Sequence, residues 1–175
     1  TDNCNNSSQC TQTVTVRDTK APVFANCPTN ITVVCNAVPT AASPTATDNC
    51  DTQVTINYSE QKANGSCVDG YELIRTWTAT DNCNNSSQCT QTVTVRDTKA
   101  PVFANCPTNV TVECNAVPTA ASPSATDNCD LQVTINYSEQ KSNGNCVDGY
   151  DLIRIWTATD NCNNSSQCTQ TVTVR

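Results

Sequence analysis

Fourteen of the 175 residues are cysteine, and the sequence has no histidine. A thiol can close a disulfide, ligate a soft metal or attack as a nucleophile, and its neighbours decide which. Without histidine there is no Ser-His-Asp triad, no Cys-His pair and no His-ligated zinc or iron site. The local spacings, C-x5-C at Cys83–Cys89 and C-x7-C at Cys27–Cys35, are not those of structural zinc motifs. What remains is a disulfide scaffold, and cysteine at this density stays oxidised only outside a reducing cytosol. The chain is therefore expected to be extracellular or exposed on a cell surface.

Aspartates form the second chemically suggestive set. Asp18 lies in the segment RDTKAP, Asp48 and Asp51 flank Cys50, and Asp81 precedes Cys83. Asp97, Asp127, Asp130 and Asp160 repeat the arrangement. Carboxylates converging from a linker and two loops offer calcium the oxygen ligands it prefers, which makes Asp18, Asp48, Asp81, Asp97, Asp127 and Asp160 a candidate ligand set. Asp-Asn pairs also cap turns through their own side chains, and no EF-hand series decides between the two readings. Asp48 and Asp81 are the only candidates for paired-carboxylate hydrolysis, which needs a cleft, so the chain is expected not to be an enzyme. Asn-x-Ser/Thr triplets occur at Asn5, Asn6, Asn30, Asn57, Asn64, Asn84, Asn85, Asn109, Asn136, Asn163 and Asn164. Each is a formal acceptor for glycans, which would help keep a chain poor in charge soluble. The T-x-T rows, such as Thr92 and Thr94, suit an outward strand face and only formally resemble an ice-binding surface. A net charge of −7 argues against nucleic acid and anionic lipid as partners, and no 18-residue apolar run is present for membrane insertion.

The elements that position these residues recur. TDNCNNSSQCTQTVTVR occupies Thr1–Arg17, Thr80–Arg96 and Thr159–Arg175, a period of 79. Residues 18–96 and 97–175 are two units that differ at eight positions: Ile31/Val110, Val34/Glu113, Thr45/Ser124, Thr52/Leu131, Ala63/Ser142, Ser66/Asn145, Glu72/Asp151 and Thr76/Ile155. Residues 1–17 read as the C-terminal part of a preceding repeat. Such periodicity means an array of small modules. Within a unit, apolar residues alternate as in strands: Ile31 and Val33 inward, Val54, Ile56 and Tyr58 on one face, and Val93 and Val95 beneath Thr92 and Thr94. Asn64-Gly65 signals a hairpin ahead of the Trp77 strand. Prolines punctuate the first half, and no segment has a helical period. The expected class is all-β: tandem, disulfide-stapled immunoglobulin-like β-sandwich repeats.

Six cysteines per unit allow 15 pairings. In such a sandwich the first and last strands begin at one pole, which favours Cys27–Cys89. The two Thr-Asp-Asn-Cys loops favour Cys50–Cys83, leaving Cys35–Cys67 at the opposite pole. The second unit would carry Cys106–Cys168, Cys129–Cys162 and Cys114–Cys146. A competing pattern closes Cys83–Cys89 and Cys27–Cys50, and spacing alone leaves both open.

The segments DTKAPVFANCPTNITVVC, PTATDNCD and RTWTATDNCNNSSQCTQTVTV resemble the HYR-like (hyalin-repeat) modules of very large Bacteroidota surface proteins, among them SprB-type gliding adhesins and other cargo of type IX secretion. The resemblance covers both units and the partial one. It implies an extracellular immunoglobulin-like array with adhesive or structural duties, and it matches Cys27 and Cys89 to the family's first and last half-cystines. It names neither a ligand nor a catalytic residue. Near-identity of the units favours the shaft of a fibre or long adhesin, whose partners are tandem copies, neighbouring chains and attached glycans. A glycan- or protein-binding adhesive module is the alternative.

Overall fold

The structure, a computed structural model, describes residues 1–144 and 148–175. In the first unit the strands are β1 (Val23–Ala25), β2 (Ile31–Val33), β3 (Thr45–Thr47), β4 (Thr55–Asn64), β5 (Tyr71–Thr80) and β6 (Ser86–Val95). They form a four-stranded sheet in the order β2-β6-β5-β4 and a two-stranded ribbon of β1 with β3. All pairings are antiparallel except β2 with β6, which runs parallel with Ile31 opposite Val93 and Val33 opposite Val95. The second unit repeats this as β7 (Val102–Ala104), β8 (Val110–Val112), β9 (Ser124–Thr126), β10 (Thr134–Asn143), β11 (Tyr150–Thr159) and β12 (Ser165–Val174), with sheet order β10-β11-β12-β8 and the ribbon β7-β9. The chain is all-β, with a sandwich-like pair of sheets in each unit.

Period-two patterning builds the core. Leu73, Trp77 and Ala79 of β5 and Cys89, Val93 and Val95 of β6 are buried, and Ile31, Val33, Val38 and Tyr71 pack against Leu73, Val93 and Val95. The buried Arg75 is satisfied locally. The guanidinium of Arg75, 3% exposed, donates to Glu60 Oε2 at 2.8 Å and to the Pro39 carbonyl at 2.7 Å. It thereby ties the edge strand β4 and the proline-rich segment to the sheet, which a buried charge requires. Lys62 Nζ stands 3.8 Å from the centre of the Tyr71 ring, and Tyr58 lies at a tilt against Trp77, centroids 5.3 Å apart.

The hairpin expected at Asn64-Gly65 forms between β4 and β5, with Asn64 opposite Tyr71, and residues 65–70 make its loop, closed by Gly65 N–H donating to the Gly70 carbonyl at 3.0 Å. Gly65 is required by proximity: a Cβ there would lie 2.5 Å from the Gly70 carbonyl. Residues 1–17, in turn, contain no strand and are exposed apart from their own turn contacts, although their copies form β6 and β12. A strand with no neighbours leaves its N–H and C=O groups to water and gains nothing from extension.

Candidate functional site at the junction of the units

The segment Arg96-Asp97-Thr98-Lys99-Ala100-Pro101 connects the units, and cysteines from both converge beside it. Within each unit one bridge closes, Cys27–Cys89 and Cys106–Cys168, each spanning 62 residues with Cα atoms 5.9 Å apart. The other two bridges cross the junction. Cys35, after β2, bonds Cys129, and Cys67, in the β4–β5 loop, bonds Cys162, with Cα separations of 5.7 and 5.0 Å.

These pairings correct the expected ones. Cys35 does not bond Cys67, Cys129 does not bond Cys162, and Cys50 does not bond Cys83; the last two are exposed free thiols. The two Thr-Asp-Asn-Cys loops are held by a carboxylate instead. Asp51 accepts from Gln53 N–H through Oδ1 and from Asn82 N–H through Oδ2, both at 2.9 Å. Asp130 does the same for Gln132 and Asn161. In the second unit, where the same hydrogen bonds fix the loops, Cys129 and Cys162 meet Cys35 and Cys67 of the first. The competing pattern is also absent, since Cys83 and Cys50 remain free while Cys27 and Cys89 bond each other. Cys114 is free and exposed; its expected partner Cys146 lies outside the described residues.

The aspartates divide into two kinds. Asp81 and Asp160 are turn caps: Asp81 Oδ1 accepts from Cys83 and Asn85 N–H at 2.9 and 2.8 Å, and Oδ2 accepts from the Asn85 amide. Burial opposes ionisation of Asp81, but the bonds from Asn85 and Cys83 outweigh it and hold the carboxyl below its ordinary value. Asp48 and Asp127 cap with Oδ1 alone, each accepting from two N–H groups at 2.8 and 3.1 Å. The Asp97 carboxylate accepts only from Lys99 N–H, at 3.2 Å. Its carboxyl is pushed up by burial and, against that hydrogen bond, by the charges of Asp127, Asp160 and Asp69. The ligand atoms of Asp97, Asp127 and Cys129 lie within 4.8 Å of one another, as do those of Asp18, Asp48 and Cys50. Asp69, from the first unit, carried no signal in the sequence because only the fold brings it to the linker. Cys50 is pushed away from the thiolate by burial and by the charges of Asp18 and Asp48.

Among the Asn-x-Ser/Thr positions, Asn57, Asn64, Asn84, Asn136 and Asn163 are exposed. Asn30 and Asn109 are also exposed, with their carbonyls engaged by Thr92 and Thr171 N–H at 2.8 Å. The amides of Asn85 and Asn164 are spent on Asp81 and Asp160. Tyr58 is 45% exposed, so the units do present an accessible aromatic, at the rim of a shallow cavity of about 390 Å³ lined by Ala41, Pro44, Ile56 and Trp77.

Among solved structures, the extracellular repeats of Drosophila N-cadherin (EC1-4) are 15% identical, cover 89% of this chain and 50% of their own, and superpose with a TM-score of 0.37. Human mucin-like protocadherin EC1-2 is 12% identical, covers 89% of this chain and 99% of its own, with a TM-score of 0.36. The chain thus spans half the length of the N-cadherin structure. The family of HYR-like domains with four cysteines matches twice, over residues 23–95 and 102–174, which together take in all twelve strands. The chain belongs to the family of HYR-like domains, in tandem.

Proposed function

We propose that this chain is a length of covalently locked shaft in an extracellular fibre or long cell-surface adhesin, and that its work is mechanical. The observation that carries the reading is the pair of disulfides across the junction, Cys35–Cys129 and Cys67–Cys162. Bridges within a domain only stabilise it, whereas two bridges between neighbours fix their separation and rotation. Shifted by one period of 79, the same pattern gives Cys114 the role of Cys35, and gives Cys50 and Cys83 the roles of Cys129 and Cys162. Every junction of a longer array would then be locked in the same way, without change of sequence. Units 18–96 and 97–175 are the repeating links, and residues 1–17, which repeat the sequence of 80–96, are the C-terminal part of a preceding link in this reading. The resemblance to gliding adhesins supports a bacterial surface as the setting. Glycans on the exposed Asn57, Asn64 and Asn84 and their copies, or lateral contact with neighbouring chains, suit outer faces rich in Thr, Asn and Ser.

Tryptic mapping without reductant tests the covalent pattern. The reading expects one covalently linked set of peptides drawn from both units, with Ala63–Arg75 joined to Ile155–Arg175 through Cys67–Cys162 and Ala21–Lys62 joined to peptide 100–141 through Cys35–Cys129; two separate sets, one from each unit, would overturn it. The alternative, an adhesive binding module, is favoured by the Tyr58–Trp77 depression and its copy at Tyr137–Trp156. Quenching of Trp77 and Trp156 fluorescence by soluble glycans would select it.

A further inference from the structure

Two carboxylate oxygens at the junction are buried and have no hydrogen-bond partner: Asp69 Oδ2, from the first unit, and Asp97 Oδ2, from the linker. Asp97 is only 7% exposed. No Lys or Arg forms an ion pair with either among the described residues, where the ion pairs are Arg75–Glu60 and Arg154–Glu139. An unpaired buried carboxylate is costly, and like charges beside it raise the cost. Such a group must bind a proton or a cation.

We propose that Asp97 and Asp127 ligate a calcium ion at the junction, with Asp69 supplying the first unit's share of the charge. Hard oxygen donors and the absence of histidine fit calcium and exclude a soft-metal preference. The sulfur of Cys129, near both carboxylates, is bonded to Cys35 and so is no ligand. Asp127 keeps Oδ1 on its turn and has Oδ2 to offer; Asp160 spends both oxygens on its turn and contributes field alone.

The first unit's copy shares part of this arrangement, since Asp48 Oδ2 is also buried without a partner and Asp18, Asp48 and Cys50 converge in the same way; what the junction adds is burial of the linker aspartate and the approach of Asp69. Asp18 has the same neighbours in sequence as Asp97, yet is only half-buried. Asp69 is half-buried beneath the second unit, whereas Asp148, its counterpart at the far pole of that unit, is exposed. The ion would therefore be shared between units and would add a non-covalent clamp beside the two disulfides. With two or three carboxylates, a dissociation constant of about 10⁻⁴–10⁻³ M is expected, the range of extracellular modules.

The test is thermal unfolding of the oxidised full chain in 10 mM calcium chloride and in chelator. Calcium should raise Tm by about 2–6 °C. Asp97→Asn should abolish that shift, and Asp148→Asn should leave it intact. If Tm is the same with and without calcium, or if Asp97→Asn retains the full shift, the proposal fails. A Tm that rises on mild acidification but ignores calcium would show that a proton occupies the site instead, which also overturns it. The disulfide map is independent of all these outcomes, so the cation site and the locked-shaft reading fail separately.

Discussion

Consider a tandem array pulled from its ends. Of the 79 residues in a period, the Cys27–Cys89 bridge spans 62 and leaves 17 on the load path. At about 3.3–3.6 Å per extended residue, those 17 give roughly 6 nm of chain, against roughly 27 nm for a whole period without bridges. Separation of neighbours is opposed before that, because Cys35–Cys129 and Cys67–Cys162 hold folded units together. Force reaches covalent bonds long before most of the core is exposed. The comparison matters because a folded domain is held by only about 5–15 kcal/mol. Single-molecule force spectroscopy in oxidising buffer should therefore show short steps, none above roughly 6 nm per unit. Added reductant should release steps approaching the full period. Steps near 27 nm before reduction would refute the reasoning, since they require chain that the bridges withhold.

Further outcomes follow from other contacts. Asp130→Ala leaves the N–H groups of Gln132 and Asn161 without their acceptor at a site only 6% exposed, and should cost about 1–3 kcal/mol in denaturant unfolding without altering the disulfide map. Hydrogen bonds from Arg75, and then from Tyr58, hold the Glu60 carboxyl below its ordinary value, and Glu139 behaves likewise with Arg154 and Tyr137. A lowered folded-state value stabilises above the unfolded value, about 4.3, and the contribution is lost as pH falls through the folded one. Glu60→Gln with Glu139→Gln should flatten the dependence of Tm on pH below about 5; an unchanged slope would contradict it. A synthetic peptide of Thr80–Arg96, reduced, should show no strand signal by circular dichroism, although ten of its residues form β6.

The sequence by itself determined the class of fold. Strict alternation at Ile31 and Val33 and at Val93 and Val95 could bury only one face, and the structure buries that face. The period of 79 was readable because each unit carries its own inward set. The cysteine pairing across units was not readable. Cys50 and Cys129 sit in the same local sequence, ATDNCD, yet one is a free thiol and the other is bonded to the first unit. Nothing within a unit distinguishes a bridge inside it from a bridge to its neighbour, because that depends on where the linker places the next copy. Asp69 was missed for the same reason, being one exposed loop aspartate until the second unit covers it.

The 17-residue segment that occurs three times makes the division plain. At Thr80–Arg96 and Thr159–Arg175 it supplies strands β6 and β12, each hydrogen-bonded on both sides, to β5 and β2 or to β11 and β8. At Thr1–Arg17 the identical residues form no strand, and Val14 and Val16 are 73% and 87% exposed where Val93 and Val95 are buried. Composition and alternation fix which face of that segment would go inward. Only neighbouring strands, which satisfy its backbone and cover its valines, decide whether it is a strand at all.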